Sequence, residues 1–376
     1  MSGLRAVIEE EIREGGPIPF SRYMESCLYD AQLGYYSRSA EQFGKAGDFY
    51  TSSDVHAVFG RLLARQFEEM WRALGSPNRI VIKELGPGRG LFAQDVMDWA
   101  EKKFPDFSGA LGYELVEQSP ALRQRMAATL NHRFESGQAG FGSLEKRGEC
   151  PVIVFANEFF DAIPVEVVST KGSLRINARD GRFVESWAAV SREELQYLDH
   201  YSVGPEDGER LEAGLQSQEL MSAAIGFEQG FVVVVDYGYT RQEQLAGRHR
   251  GTIKAIRQHA VSGSPYEAPG EQDITADVNF TALTAAVEQR EFRTEKLVTQ
   301  SQFLMGIGEN TQFADAFEDC RLPQERAKVA LQLKHLVTPA GMGESFHVLV
   351  ASKGVAEEKT ANLSGLSFGN RNLRAR

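Results

Sequence analysis

Residues Glu84-Leu85-Gly86-Pro87-Gly88-Arg89-Gly90 put three glycines at alternate positions between an apolar run, Arg79 to Leu85, and an amphipathic one, Leu91 to Phe104. A backbone without Cβ atoms reaches left-handed conformations and lets a ligand approach closely. A helix that starts directly after such a turn aims its free N–H groups at the same spot. The stretch therefore reads as strand, tight turn and helix. Ala93, Met97, Ala100 and Phe104 form one stripe that suits packing on a sheet, and Pro105 marks the helix end.

The alternation continues outward from this stretch. Ala110 to Glu117 is β-like and Pro120 to Leu130 helical, a βαβα order that predicts a parallel sheet. Pro151 to Ala156 and Phe231 to Asp236 are continuous apolar runs, as expected of strands covered on both faces. Arg293 to Thr299 and Phe346 to Ser352 supply further strand candidates. The fold class is thus α/β, a Rossmann-like sheet with an N-terminal helical extension and a large insertion.

The predicted organisation has five parts. Residues 1–76 form an N-terminal helical region and lid, built around the aromatic stretch from Pro19 to Tyr36 and closed by a helix with Val55, Val58, Phe59, Leu62, Leu63, Phe67, Met70 and Trp71 on one face. Residues 77–163 are the first part of the core. Residues 164–230 are an inserted subdomain, with a hairpin suggested around Asp180-Gly181. Residues 231–353 complete the core through an irregular stretch, Arg250 to Asp277, and a helix from Phe280 to Glu288. The tail, 354–376, is left without assigned structure.

Open α/β sheets bind ligands at the carboxyl ends of their strands. A dinucleotide fingerprint would need its third glycine at position 91, which is Leu91. The shorter pattern preceded by Glu84 is instead similar to the first motif of class I S-adenosylmethionine-dependent methyltransferases. Glu84, Gly86, Pro87, Gly88 and Gly90 are accordingly the expected cofactor cradle. Glu117, closing the next strand, is the expected acceptor for two ribose hydroxyls, in preference to Glu114 inside that strand. Asp48, Phe49 and Tyr50, after Gly47, are read as a lid over the cofactor, a packed aromatic loop being the plain alternative.

Bulk properties bound the function. At 376 residues the chain is long for one compact domain, and 42% hydrophobic with 25% charged residues is ordinary globular composition. No apolar run approaches the roughly 20 residues of a membrane-spanning helix. The first residues lack an apolar signal core, so a cytoplasmic location is expected. Cys27, Cys150 and Cys320 are widely spaced and expected to be reduced, and the seven histidines show no metal-ligand spacing, so no metal is predicted. A formal charge of −11 argues against nucleic acid and suits a basic partner.

Several blocks together resemble the MidA family: Gly47 to Ser53, Glu84 to Gly90, Leu115 to Pro120, Asn157-Glu158-Phe159-Phe160-Asp161-Ala162-Ile163-Pro164 and Gly270 to Phe280. The resemblance runs from about Pro17 to Ser352. It implies a class I methyltransferase that uses S-adenosyl-L-methionine. The family's mitochondrial member symmetrically dimethylates an arginine of a respiratory complex I subunit during assembly, which implies a protein substrate bearing an arginine here.

For an arginine nucleophile, carboxylates should grip the guanidinium in a forked geometry. Glu158 and Asp161, beside Asn157 after the fourth strand, are the candidates, with Phe159 and Phe160 as walls; the alternative is that the acids cap a following helix. Asp236-Tyr237-Gly238, Gln272 and Asp273 are further lining candidates that could equally satisfy loop backbone. His259 is read as a hydrogen-bonding loop residue rather than a base. Methylation of a small molecule or RNA, and a non-catalytic assembly chaperone, are the rival functions. Oligomeric state stays open, a homodimer included.

Overall fold

The computed structural model describes residues 3–37, 57–145, 150–257, 260–261 and 263–368. Its strands in chain order begin with β1 (Ile18–Pro19), β2 (Ile80–Leu85), β3 (Leu111–Val116), β4 (Ala139–Phe141) and β5 (Val152–Asn157). An inserted group follows: β6 (Glu166–Ser169), β7 (Gly172–Arg179), β8 (Arg182–Ala188) and β9 (Leu211–Ala213). Next come β10 (Gly230–Tyr239), β11 (Lys254–Arg257), β12 (Ala260–Val261), β13 (Asp273–Thr275), β14 (Val278–Asn279), β15 (Arg293–Thr299) and β16 (Phe346–Lys353).

The main sheet has the order β15-β16-β10-β5-β2-β3-β4, with β14 added to the end of β10. β4, β3, β2, β5 and β10 run parallel, and β16 is antiparallel to both β10 and β15. From β2 the chain moves outward to β3 and β4, then returns to β5 on the other side. That reversal opens a crevice at the carboxyl ends of β2 and β5, where such sheets bind ligands.

Alternate residues of the central strands feed two cores, one on each face. Ile153, Phe155, Val233 and Val235 join the helices Ala57–Ala73 and Leu91–Lys103, with Phe92 stacked on Phe155 at 4.4 Å. Val154, Val232, Val234 and Leu349 join the helices Leu215–Ala224 and Phe280–Glu288 on the other face. This two-sided burial explains why β5 and β10 read as unbroken apolar runs.

The inserted sheet, β1-β7-β6-β9 with β8 on β7, takes β1 from the N-terminal region. Helices Leu4–Gly15 and Phe20–Tyr29 pack on it, so the N-terminal helices and the insertion share one core. The expected hairpin is present, and Asp180 and Gly181 both take positive φ, 50° and 70°, as a tight two-residue turn requires.

Three stretches differ from the sequence reading. The span expected to be irregular, 250–277, holds a small sheet, β12-β11-β13, which places only Ala255 and Ile274 in a buried core, too few to show a period. The segment between β15 and β16, left unassigned, carries helices Gln300–Glu309 and Pro323–Val337. The described part of the tail, residues 354–368, also folds back: Leu363 and Leu366 are buried in the main core, and the amide of Gly365 donates to Gln66 Oε1 at 2.8 Å. Among the described residues no helix is long and apolar enough to cross a membrane.

Candidate active site

Gly86, Gly88 and Gly90 all adopt left-handed φ, of 63°, 54° and 78°. Each earns its glycine differently. A Cβ on Gly86 would sit 2.7 Å from the Phe159 ring, and one on Gly90 would press on Met126, whereas one on Gly88 would meet nothing within 4 Å. The turn closes through the Gly90 amide, which donates to the Pro87 carbonyl at 2.8 Å, and Gly86 N donates to Val116 O at 3.1 Å. Gly88 therefore presents bare backbone to open space beside the end of β3.

That space is a cavity of about 1620 Å³ lined by Glu84, Gly86, Pro87, Gly88 and Glu117 at one end and by Asn157, Glu158, Phe159 and Asp161 next to it. Glu84 is nearly inaccessible, and burial raises its carboxyl to about 8, partly offset by the Tyr113 hydroxyl that donates to it at 2.8 Å. Glu117 is steered by the Ser119 amide, which donates to its Oε1 at 2.8 Å, and burial raises its pKa too. Glu114 is not among the lining residues. The bend and the carboxylate at position 117 thus share one rim of the sheet.

The end of β5 is built by β10. Asp236, fully buried, accepts from the amides of Phe159, Phe160 and Asp161 with one oxygen, at 3.2, 2.9 and 3.3 Å, and from its neighbour Tyr237 N with the other at 2.9 Å. These bonds fold residues 160–162 into a single 3-10 turn, with Glu158 held at a φ of 48°. A non-glycine residue there costs about 1–2 kcal/mol, so the strain is carried by the surrounding bonds. The capping alternative is corrected accordingly: no long helix follows, and the capping carboxylate is Asp236 rather than Glu158 or Asp161.

Tyr237, read as a lining residue, does line the cavity, and its hydroxyl donates to Asp161 Oδ2 at 2.5 Å. Asp161 Oδ1 and Asn157 Oδ1 are both buried without a hydrogen-bond partner. Burial lifts the Asp161 carboxyl to about 6, against the lowering effect of Tyr237. Asn157 Nδ2 donates to Glu158 Oε1 at 3.1 Å. Phe159 lines the cavity while Phe160 turns into the core.

The remaining candidates divide. Asp273 lines the cavity and accepts from the Tyr36 hydroxyl at 3.1 Å, whereas Gln272 donates to Ser264 O within its own loop, the backbone-satisfying alternative of the sequence reading. Asp48, Phe49, Tyr50 and His259 lie outside the described residues. Residues not singled out beforehand also line the cavity: Tyr29 and Tyr36, stacked at 5.6 Å, and the pair His249 Nδ1 and Asp277 Oδ2 at 2.9 Å. The tyrosines lay in the aromatic stretch already noted; nothing in sequence spacing joins His249 to Asp277. Among the described residues no cluster of His, Cys, Asp and Glu is arranged to hold a metal ion.

The lining is acidic, with ten Asp and Glu residues besides the buried Glu84 against Arg89, Arg248 and Lys254. Such a cavity favours a cation over an anion. Its size exceeds the roughly 300–1,000 Å³ of an ordinary small-molecule pocket, leaving room for a second ligand beside a nucleoside.

Comparison with known proteins follows the same line. Residues 62–298 match the family model of an S-adenosyl-L-methionine-dependent methyltransferase. The chain is 30% identical to the mitochondrial protein arginine methyltransferase NDUFAF7 homolog of Drosophila melanogaster, over 93% of this chain and 84% of that protein. It is 27% identical to the human mitochondrial protein arginine methyltransferase NDUFAF7, over 90% and 80%. A methyltransferase-like protein from Burkholderia thailandensis, solved with S-adenosyl-homocysteine bound, superposes with a TM-score of 0.83 at 27% identity, covering 97% of this chain and 94% of that one.

Proposed function

Because this chain belongs to the S-adenosyl-L-methionine-dependent methyltransferase family, we propose that it methylates a guanidinium nitrogen of an arginine in a protein substrate. The observation that carries the proposal is Asp161, a buried carboxylate lining the cavity, anchored through Oδ2 and left with an unpartnered Oδ1. A buried acceptor without a donor is costly. A guanidinium offers five donors in a planar fork and suits that vacancy better than an amine, a hydroxyl or a base edge.

The residues fit the cofactor that the family uses. Gly86, Pro87, Gly88 and Gly90 would lie along it, and Glu117 would accept from its ribose hydroxyls. When bound, it supplies an electrophilic methyl on a positively charged sulfur. Glu158 and Asp161 would hold the guanidinium, and the orphaned Asn157 Oδ1 would take a further N–H. As the nitrogen–carbon bond forms and the sulfur–carbon bond breaks, the nitrogen must shed a proton. Asp161, with its carboxyl raised to about 6, is a better proton acceptor than an ordinary aspartate.

The relatives' names support a protein acceptor, and the acidic cavity supports a cationic side chain. On the family resemblance we propose a respiratory complex I subunit as the acceptor, modified in the cytoplasm. The test is incubation of the full chain with cell extract and methyl-labelled cofactor, followed by mass spectrometry of the labelled species. Methylarginine in a protein is the expected product. Label on RNA or metabolites alone, or binding of a protein partner with no label transferred, would overturn the proposal.

A further inference from the structure

We propose that Tyr237 is a positioning residue for methyl transfer, acting through Asp161 by pinning Oδ2 so that Oδ1 stays available to the acceptor. This inference rests on the reading of Asp161 as the guanidinium-holding carboxylate. It adds a residue on a different strand whose contribution runs through a single hydrogen bond.

The geometry is specific. Tyr237 sits near the end of β10, where the strand peels away from β5: their pairing ends at Val235 and Asn157. Its ring packs edge-on against Phe346, centroids 5.6 Å apart, and Lys254 Nζ lies 5.3 Å from its centroid. A cation over the ring and an aromatic at its edge leave the phenol little freedom. The hydroxyl then reaches Asp161 Oδ2 at 2.5 Å. The preceding residue, Asp236, gathers the amides of the turn that carries Asp161. Two consecutive residues of β10 therefore set backbone and side chain of the same carboxylate.

The groups facing Asp161 are Tyr237 and Asp236 from β10, Asp277 beyond β13, Tyr29 from its helix, and Tyr36 from the 3-10 turn Tyr35–Ser37. Asp277 is itself bound by His249 and Lys254. Among these, Tyr237 donates a side-chain hydrogen bond that favours the ionised form of Asp161. Removing the hydroxyl leaves the other groups in place and makes Asp161 harder to ionise.

The experiment compares wild type, Tyr237→Phe, Asp161→Asn and the double variant, using cell extract and methyl-labelled cofactor as probe. Carbon-13 titration of the Asp161 carboxylate in the unloaded protein gives a readout independent of turnover. Tyr237→Phe is expected to keep cofactor affinity, raise the Asp161 midpoint, move the acid limb of the rate profile to higher pH, and slow transfer on the order of ten- to a hundredfold, the rate equivalent of one hydrogen bond to a charged group. Added to Asp161→Asn, it should cost nothing further. An unmoved midpoint, an unchanged rate, or a full additional loss in the double variant overturns the inference. Wild-type transfer by Asp161→Asn would instead sink the underlying reading of Asp161. Impaired Asp161→Asn with unimpaired Tyr237→Phe would sink this inference alone.

Discussion

The amide of Gly86 donates to the carbonyl of Val116 across 3.1 Å, so the glycine turn and the strand that leads to Glu117 are fastened together at the rim of the sheet. The bond makes bare backbone and carboxylate two sides of one opening, and their spacing does not depend on any flexible side chain.

Gly88→Val should abolish cofactor binding while costing the fold only about 1–2 kcal/mol, the penalty of a left-handed non-glycine residue. The added side chain meets no protein atom within 4 Å of its Cβ and so projects into the space beside the turn. Glu117→Ala should weaken binding tenfold or more by removing charge-assisted bonds to the ribose. Calorimetry with S-adenosyl-L-methionine checks both, and unchanged affinity in the two variants would refute the assigned pocket.

Glu158→Gln and Asp161→Asn should each lower the transfer rate by about 10²–10⁴, the range for a positioned acid–base group, with cofactor affinity retained. Single-turnover rates against calorimetric affinities separate the two effects. Loss of affinity without loss of rate would place these residues on the cofactor side of the cavity.

Glu84 should make the unloaded protein less stable as pH rises. Its folded carboxyl stands at about 8 against an ordinary 4.5, so the native state holds the proton more tightly than the unfolded chain. That contribution is complete below about pH 4.5 and fades as pH climbs to 8. Urea unfolding of wild type and Glu84→Gln across this window should show the wild type losing stability relative to the variant, by a few kcal/mol at most and roughly 1.4 per unit of pKa difference. Parallel curves would contradict the burial argument.

Asp236→Ala should destabilise the fold by about 2–4 kcal/mol, since it strands three turn amides and that of Tyr237. Asp236→Asn keeps one oxygen and should lose less. Thermal unfolding of the two variants orders them.

Leu363→Ala should cost about 2–5 kcal/mol, as for other buried leucines, because the tail residue is buried in the main core beside the helix Ala57–Ala73. A stability change near zero in chemical denaturation would mean that the tail does not pack in solution.

The core was legible because its signals are local and repeated. Strand β15 was bounded in the sequence as in the structure, and β2, β3, β5, β10 and β16 agree to within a few residues; in β5 and β10 the signal is the continuous apolar run that two-sided burial forces. The small sheet of β11 to β13 and the tail were not legible, because each buries only a few apolar residues against distant elements. The candidate site was half legible: the glycine turn and the carboxylates announce themselves by residue type.

What the sequence determined by itself was the strand–turn–helix at residues 80–103 and the acids near it, since φ preferences and hydrophobic period act over a few residues. What only the tertiary structure decided was which acid serves which purpose. Asp236 and Asp161 look alike in sequence, yet one is consumed by backbone amides and the other keeps an oxygen unpaired. The difference arises because hydrogen-bond satisfaction depends on what a neighbouring strand brings within 3 Å or so, and that neighbour lies 75 residues away along the chain.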